Sequence, residues 1–339
     1  MSDHKKERNK QLDLLRVLAT FAVIKLHSGT WNFTDKIVQY MCGFAVPIFF
    51  MISGALILGR SDQISKKYVF TRSFRLLRLI FMWSLLLLIP ICIINRTIPN
   101  LVTFFTSSFF QQKPLWQFWY LWPLLFLTLC SPLIWRIFQN KRVTKIYIAV
   151  LFFINCTISL ICIYAGIVGR ENPESLVPQS MRMYSHLLYF SLGGILFRYC
   201  QFDLIKSCIQ KHSRFILSVM LFFSIGIATV QYCICYVTHV TSQEYCYSNP
   251  IIILYNILLF ECIFNLKTYK ILENKLFHAL CLDSLGIYIM HPYLSSVLRR
   301  LGVWTADHCV FNFVILCLFS LLVVEIMRRI PFIRGTIKL

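Results

Sequence analysis

Ten apolar runs, each near the length of a membrane span, follow one another along this 339-residue chain. They fall at roughly 12–31, 40–59, 76–95, 116–136, 146–168, 184–200, 215–238, 250–266, 277–298 and 309–327. A helix needs about 20 mostly apolar residues to cross a hydrocarbon core, and its backbone polar groups must be satisfied within it. Runs of this number and length predict an all-α polytopic membrane protein of about ten transmembrane helices. Ten spans use roughly 200 residues, and the loops between them are too short for a soluble domain. The expected division is a tail at 1–11, a transmembrane domain at 12–327 and a second tail at 328–339, with no appended module.

Charge sets the expected orientation. Only 14% of the chain is charged, yet the net charge is +20. A basic chain suits nucleic acid when the charge lies on a solvated domain. Here Lys and Arg sit between apolar runs, so nucleic-acid binding is not expected. One alternate set of loops holds only Lys36, Arg96, Lys113, Arg170, Arg182, Arg299 and Arg300. Apart from Arg16 and Lys25 in the first run, every other Lys and Arg falls in the opposite set or in the two tails. Lys and Arg accumulate in cytoplasmic loops, which places both termini in the cytoplasm. No small-residue cleavage site follows the basic N-terminus, so no cleavable signal peptide is expected. The fourteen Cys lie mostly inside apolar runs and act there as small hydrophobes. Cys233, Cys235 and Cys246 fall near the outer face, where a disulfide is one option. No His pair at i, i+4, HExxH or Cys cluster suggests a metal site, and no Gly-rich phosphate loop is present.

The first run carries the chemistry. Asp13, Arg16, Lys25 and His27 crowd into fifteen residues, whereas a charge at the bilayer centre costs about 2.5–3.5 kcal/mol on insertion scales. Asp13 and Arg16 share a helix face and can pair. Arg16 and His27 are eleven apart, close to three full turns, so they share a stripe with about 16 Å between them. His27 is the candidate general base for this geometry. Arg16 and Asp13 would form an ion pair on that stripe. A hydrogen-bonded packing role also fits His27. Lys25 lies on the opposite face and either snorkels or pairs within the bundle.

Other candidates are looser. Arg72, Arg75 and Arg78 lie about the start of the third run and suit ordinary positive-inside charge. Ser53-Gly54 ends an apolar helix and fits close packing. Trp119 and Tyr120 fit an interfacial aromatic belt or substrate stacking. Tyr288 and His291 share a helix face beside Pro292, and a helix–helix hydrogen bond explains them as well as a site does. Glu325 is expected to pair with Arg328, His186 to be structural, and Glu261 and Asp283 have no assigned role.

Five of these segments, in this order, resemble the membrane acyltransferase-3 family. They are Leu-Asp-Leu-Leu-Arg ending at Arg16 with His27 after ten intervening residues, Val46 to Gly54, the Arg72–Arg78 triplet, Lys113-Pro114 through Trp119 to Ser131-Pro132-Leu133, and Ser284 to Pro292. The resemblance covers roughly 10–330. It is similar to stand-alone sugar O-acetyltransferases of the kind that modify enterobacterial common antigen or O-antigen. It implies acetyl-CoA as co-substrate and no further cofactor. It also implies a glycan or polyprenyl-linked glycan acceptor and a bacterial inner-membrane location. His27, Arg16 and Asp13 are then the catalytic candidates, and Arg72, Arg75 and Arg78 the acyl-CoA-binding ones. Ser53, Trp119, Tyr288 and His291 are the supporting ones. The oligomeric state stays open. The competing reading is a multi-pass transporter of a glycan precursor or small solute, since charged residues in spans also mark substrate pathways.

Overall fold

The computed structural model describes residues 9–29, 32–199, 203–240, 242–267, 270–305 and 308–330. The outer parts of the two expected tails, 1–8 and 331–339, lie outside the described residues. The chain folds into α1 (Lys10–Leu26), α2 (Phe33–Met41), α3 (Ala45–Leu58), α4 (Lys66–Asn95) and α5 (Leu101–Ser107). These lead to α6 (Leu121–Ile137), α7 (Lys141–Ile167), α8 (Met183–Tyr199) and α9 (Asp203–Lys211). The last elements are α10 (Ser213–Val237), α11 (Pro250–Phe264), α12 (Lys275–Arg300) and α13 (Cys309–Arg329). Polar residues between the apolar runs start these helices. The Ser65 hydroxyl caps α4 by accepting from Tyr68 N–H. Asn140, Asn249 and Asn274 cap α7, α11 and α12 in the same way, with Pro250 at the first turn of α11.

Each of the ten apolar runs contains a helix. Among the described residues, six segments are long and apolar enough to cross a membrane: Phe33–Leu58, Lys66–Ile93, Trp116–Ile137, Lys141–Ile167, Ser213–Val237 and Cys309–Arg329. The first of these starts earlier than the sequence suggests. Asn32 and Asp35 form a capping box at α2, which continues through a 3-10 turn at Cys42–Phe44 into α3. The other four runs, α1, α8, α11 and α12, are shorter or more polar, so length and composition alone do not mark them as spans. Their position explains this. The bundle buries α1, which packs on α3, α11, α12 and α13, and α8, which packs on α3 and α7. A helix surrounded by protein can carry the polar groups that lipid excludes. Conversely, α7 and α10 turn Phe153, Ile161, Phe215 and Phe222 outward. Apolar faces on this scale belong against lipid, and the chain is a multi-pass membrane protein.

The connecting segments gather at two ends. At one end Lys10 pairs with Glu273 at 2.8 Å, Gln11 donates to the Leu266 carbonyl, and Arg198 donates to Gln139. At the other, Ser180 donates to the Phe109 carbonyl and Gln111 to Gln179. Buried Arg182 there lies 3.6 Å from Glu244, and Glu174 accepts from Tyr184 and Ser248. Burial raises the Glu174 and Glu244 carboxyls above the ordinary range, and the Arg182 guanidinium acts against that rise. The basic loops cluster at the first end and the loops poor in Lys and Arg at the second.

Candidate active site

A cavity of about 540 Å³ opens beside the start of α1. Its floor and walls come from α1, α3, α4, α6 and α12, and three guanidiniums reach it: Arg16, Arg60 and Arg72. Asp13, 3.4 Å from the Arg16 guanidinium, is the carboxylate among them. Tyr68 organises the other two. Arg60 stacks over its ring at 4.3 Å, and Arg72 donates to its hydroxyl at 3.4 Å. Deeper in, Ser53 and Tyr120 meet at 3.4 Å, and Phe49 and Tyr288 complete the inner wall. The mouth is therefore cationic and built for a polyanion, while the interior is narrow and aromatic.

His27 lies past that inner wall. Helix α1 ends at Leu26, so His27 occupies its C-cap rather than a mid-span turn. The imidazole stands between Trp116, edge-on at 5.0 Å, and His291, stacked at 5.2 Å. The orientation of His291 follows from the residue after it. Pro292 has no N–H, so it cannot donate to the carbonyl of Tyr288 four residues back. The His291 ring donates there instead, Nδ1 to Tyr288 oxygen at 2.7 Å. That bond commits the proton to Nδ1 and leaves Nε2 as an acceptor. Buried Nε2 has no hydrogen-bond partner among the described residues. Ser131-Pro132 repeats the device in α6, where the Ser131 hydroxyl donates to the Thr128 carbonyl at 2.7 Å.

The same face of α12 holds the segment that carries Trp116. Tyr288 donates to the Gln117 carbonyl at 2.7 Å, Gln117 donates to the Tyr293 hydroxyl, and Tyr293 donates to the Pro114 carbonyl at 2.9 Å. Tyr288→Phe removes the hydrogen bond that ties the Gln117 carbonyl to α12. It is expected to cost about 0.5–1.5 kcal/mol, read as a lower unfolding midpoint in detergent.

The structure brings Asp13, Arg16, Ser53, Arg72 and Tyr288 into one cavity and sets His27 and His291 beside each other beyond it. Arg75 and Arg78 are exposed and turned away from the cavity. Each three-residue step rotates a side chain by about 60°, so a triplet starting at Arg72 leaves the cavity at once. Arg60, next to Gly59 at the end of α3, takes the place expected for them. Trp119 belongs to neither a belt nor an open stacking surface: it is buried 5.8 Å from His186. His186 itself stacks on Phe50 at 4.4 Å, with Nε2 2.7 Å from the Gln179 carbonyl, as a structural histidine would. Among the described residues no acid pairs with Lys25. It is buried and reaches the Gly29 carbonyl at 3.4 Å. Glu325 meets Arg328 as expected, and Arg328 also lies 3.7 Å from buried Asp283. The residues that spacing missed are Arg60, Tyr68 and Trp116. A signal for the His291 geometry was present, since a proline always frees the carbonyl four residues earlier.

The acyltransferase-3 family model, described as an acyltransferase domain, matches residues 9–328. An amino-acid racemase of Enterococcus faecalis is 31% identical over 106 residues, which is 27% of this chain and 14% of the racemase. The chain thus spans a small part of that relative's length. No solved structure matches it.

Proposed function

The chain belongs to the acyltransferase-3 family, whose model covers residues 9–328, and from that premise we propose that it is an inner-membrane O-acetyltransferase. It moves an acetyl group from acetyl-CoA to a sugar hydroxyl of a surface polysaccharide or its lipid-linked precursor. The observation that carries this reading is the arrangement of one cationic cavity and one imidazole pair along α1. The CoA phosphates bind Arg16, Arg60 and Arg72 at the mouth, on the cytoplasmic side given by the basic loops. The slender pantetheine arm runs inward past Tyr120 and Tyr288, and the thioester reaches His27. The eleven-residue separation of Arg16 and His27 spans about 16 Å, which suits a donor bound at one end and reacting at the other. There the acceptor oxygen attacks the thioester carbonyl and its proton passes to the His27 imidazole. The tetrahedral oxyanion collapses, and the CoA thiolate leaves and takes up a proton. The racemase covers too little common length to bring its activity to this chain.

Transfer of label from acetyl-CoA to alkali-labile ester on envelope glycan, in membranes with and without the protein, tests the activity. Glycan crossing the membrane with no CoA released would replace it with the transporter. The donor site has its own test. Arg72→Ala and Arg60→Ala are each expected to raise the apparent KM for acetyl-CoA about tenfold or more, the loss of one charged hydrogen-bond partner. KM for the acceptor should stay within about twofold, since in this reading these residues bind the donor and never touch the acceptor. Arg75→Ala should change both little, because its side chain faces away from the cavity. Equal KM changes for donor and acceptor would remove the phosphate role.

A further inference from the structure

Two thiols at the end of the bundle poor in Lys and Arg stand apart from the acyl-transfer site. Cys235 is on the last turn of α10, and Cys246 is on the 3-10 turn that leads to α11. Their sulfurs are 3.6 Å apart, and both side chains are buried, at 2% and 1% exposure. Cys233 is two residues earlier, on another face of the helix, and is exposed. The thiols hold each other and the turn: Cys235 donates to the Ser242 carbonyl and Cys246 to the Gln231 carbonyl. Neighbouring residues of this loop contact the rest of the bundle. Glu244 faces Arg182, and the Tyr247 carbonyl accepts from Tyr189 at 2.8 Å.

We infer that Cys235 and Cys246 are joined by a disulfide in the mature protein. The bond clips loop 236–245 to the end of α10. Disulfides persist where the surroundings are oxidising, outside the cytoplasm, and the charge distribution puts this end there. The sulfurs need to approach by about 1.5 Å to reach bonding distance, a rotamer adjustment within a turn. The oxidant is a dithiol–disulfide carrier of the cell exterior. The thiolate of one cysteine attacks the carrier's disulfide and forms a mixed disulfide. The second thiolate displaces the carrier, the new S–S bond forms, and the carrier leaves as a dithiol with two electrons and two protons. Burial of both sulfurs places this reaction before the turn packs against α10. The inference does not depend on acyl transfer, because neither thiol touches the cavity or His27.

The test is mass spectrometry of the full chain, taken from envelope membranes by acid quench and alkylated before digestion. No Lys or Arg lies between the two cysteines, so chymotrypsin, which cuts after Tyr236 and Tyr245, separates them. The expected product is one linked peptide pair lighter by two hydrogens than the free pair. It should disappear on reduction with dithiothreitol and be absent from Cys235→Ser and Cys246→Ser. Chains made in cells lacking the envelope oxidant should show its loss as well. Recovery of both thiols alkylated from unreduced wild-type chain would overturn the disulfide, and a Cys233–Cys246 link, told apart by fragmentation because Cys233 and Cys235 share one chymotryptic peptide, would overturn the pairing. Since the decisive reading is made on the wild-type chain, misfolding of a serine variant does not affect it.

Discussion

His27→Ala is expected to lower the acyl-transfer rate by about 10²–10⁴-fold, the usual contribution of a positioned general base, with the amount of folded protein unchanged. His27 caps α1 through its backbone N–H, and its side chain sits half-buried between Trp116 and His291, so removing the ring leaves the cap and the helix contacts of α1 in place. Binding of acetyl-CoA should persist, because the guanidiniums proposed to hold its phosphates lie at the opposite end of α1. His291→Ala separates the two imidazoles. The His291 proton is committed to the Tyr288 carbonyl, and in our reading the ring supports and orients His27, so a loss of about tenfold is expected. The base assignment fails if His27→Ala retains wild-type transfer while His291→Ala loses the larger factor. Chemical steps with one essential base lose rate as that base is protonated, so transfer by the wild type should fall toward acidic pH. The His27→Ala remnant should be flat over the same range.

Much of this site was legible in the sequence because a helix repeats in a fixed way. The spacing of Asp13, Arg16 and His27 put three polar groups on one stripe of a helix that lipid would not tolerate. The structure encloses that helix and brings those groups to a cavity and an imidazole pair. Spacing misled wherever the neighbour, rather than the helix, decides the outcome. The Arg72–Arg78 triplet looked like one feature, yet helical rotation leaves only Arg72 facing the cavity. Arg60 reaches the same cavity from the end of α3 because Tyr68 of another helix holds both cations. Trp119 and Trp116 stand three residues apart in a 3-10 turn. Their roles depend on whether His186 or His27 lies opposite, a long-range contact that local pattern does not carry. The more polar make-up of α1 and α12 has the same origin: burial by other helices relaxes the requirement that each span be apolar on its own, whereas α8 and α11 fall short in length.

Gly54→Ala should destabilise the fold by at least about 3 kcal/mol, beyond the usual 1–3 kcal/mol of overpacking, and Gly193→Ala should do the same. Helices α3 and α8 cross so closely that each backbone fills the space a Cβ would take on the other. A Cβ on Gly54 would lie 1.7 Å from the Phe190 carbonyl oxygen, and one on Gly193 would lie 1.9 Å from that of Met51. Both obstacles are backbone atoms of a helix, which cannot swing aside as a side chain can. The helices must therefore separate. That moves Ser53, beside Gly54, away from Tyr120 and loosens Phe50 from His186. Small residues at such a crossing are what let membrane helices gain van der Waals contact where no hydrophobic force drives them together. Gly226, on α10, has nothing near its missing Cβ, so Gly226→Ala is the matched control and should be neutral or slightly stabilising through helix propensity. The unfolding midpoints of the three variants in one detergent decide the matter. If Gly54→Ala melts with Gly226→Ala, the two backbones are not in contact and the cavity wall built on α3 is not held by α8.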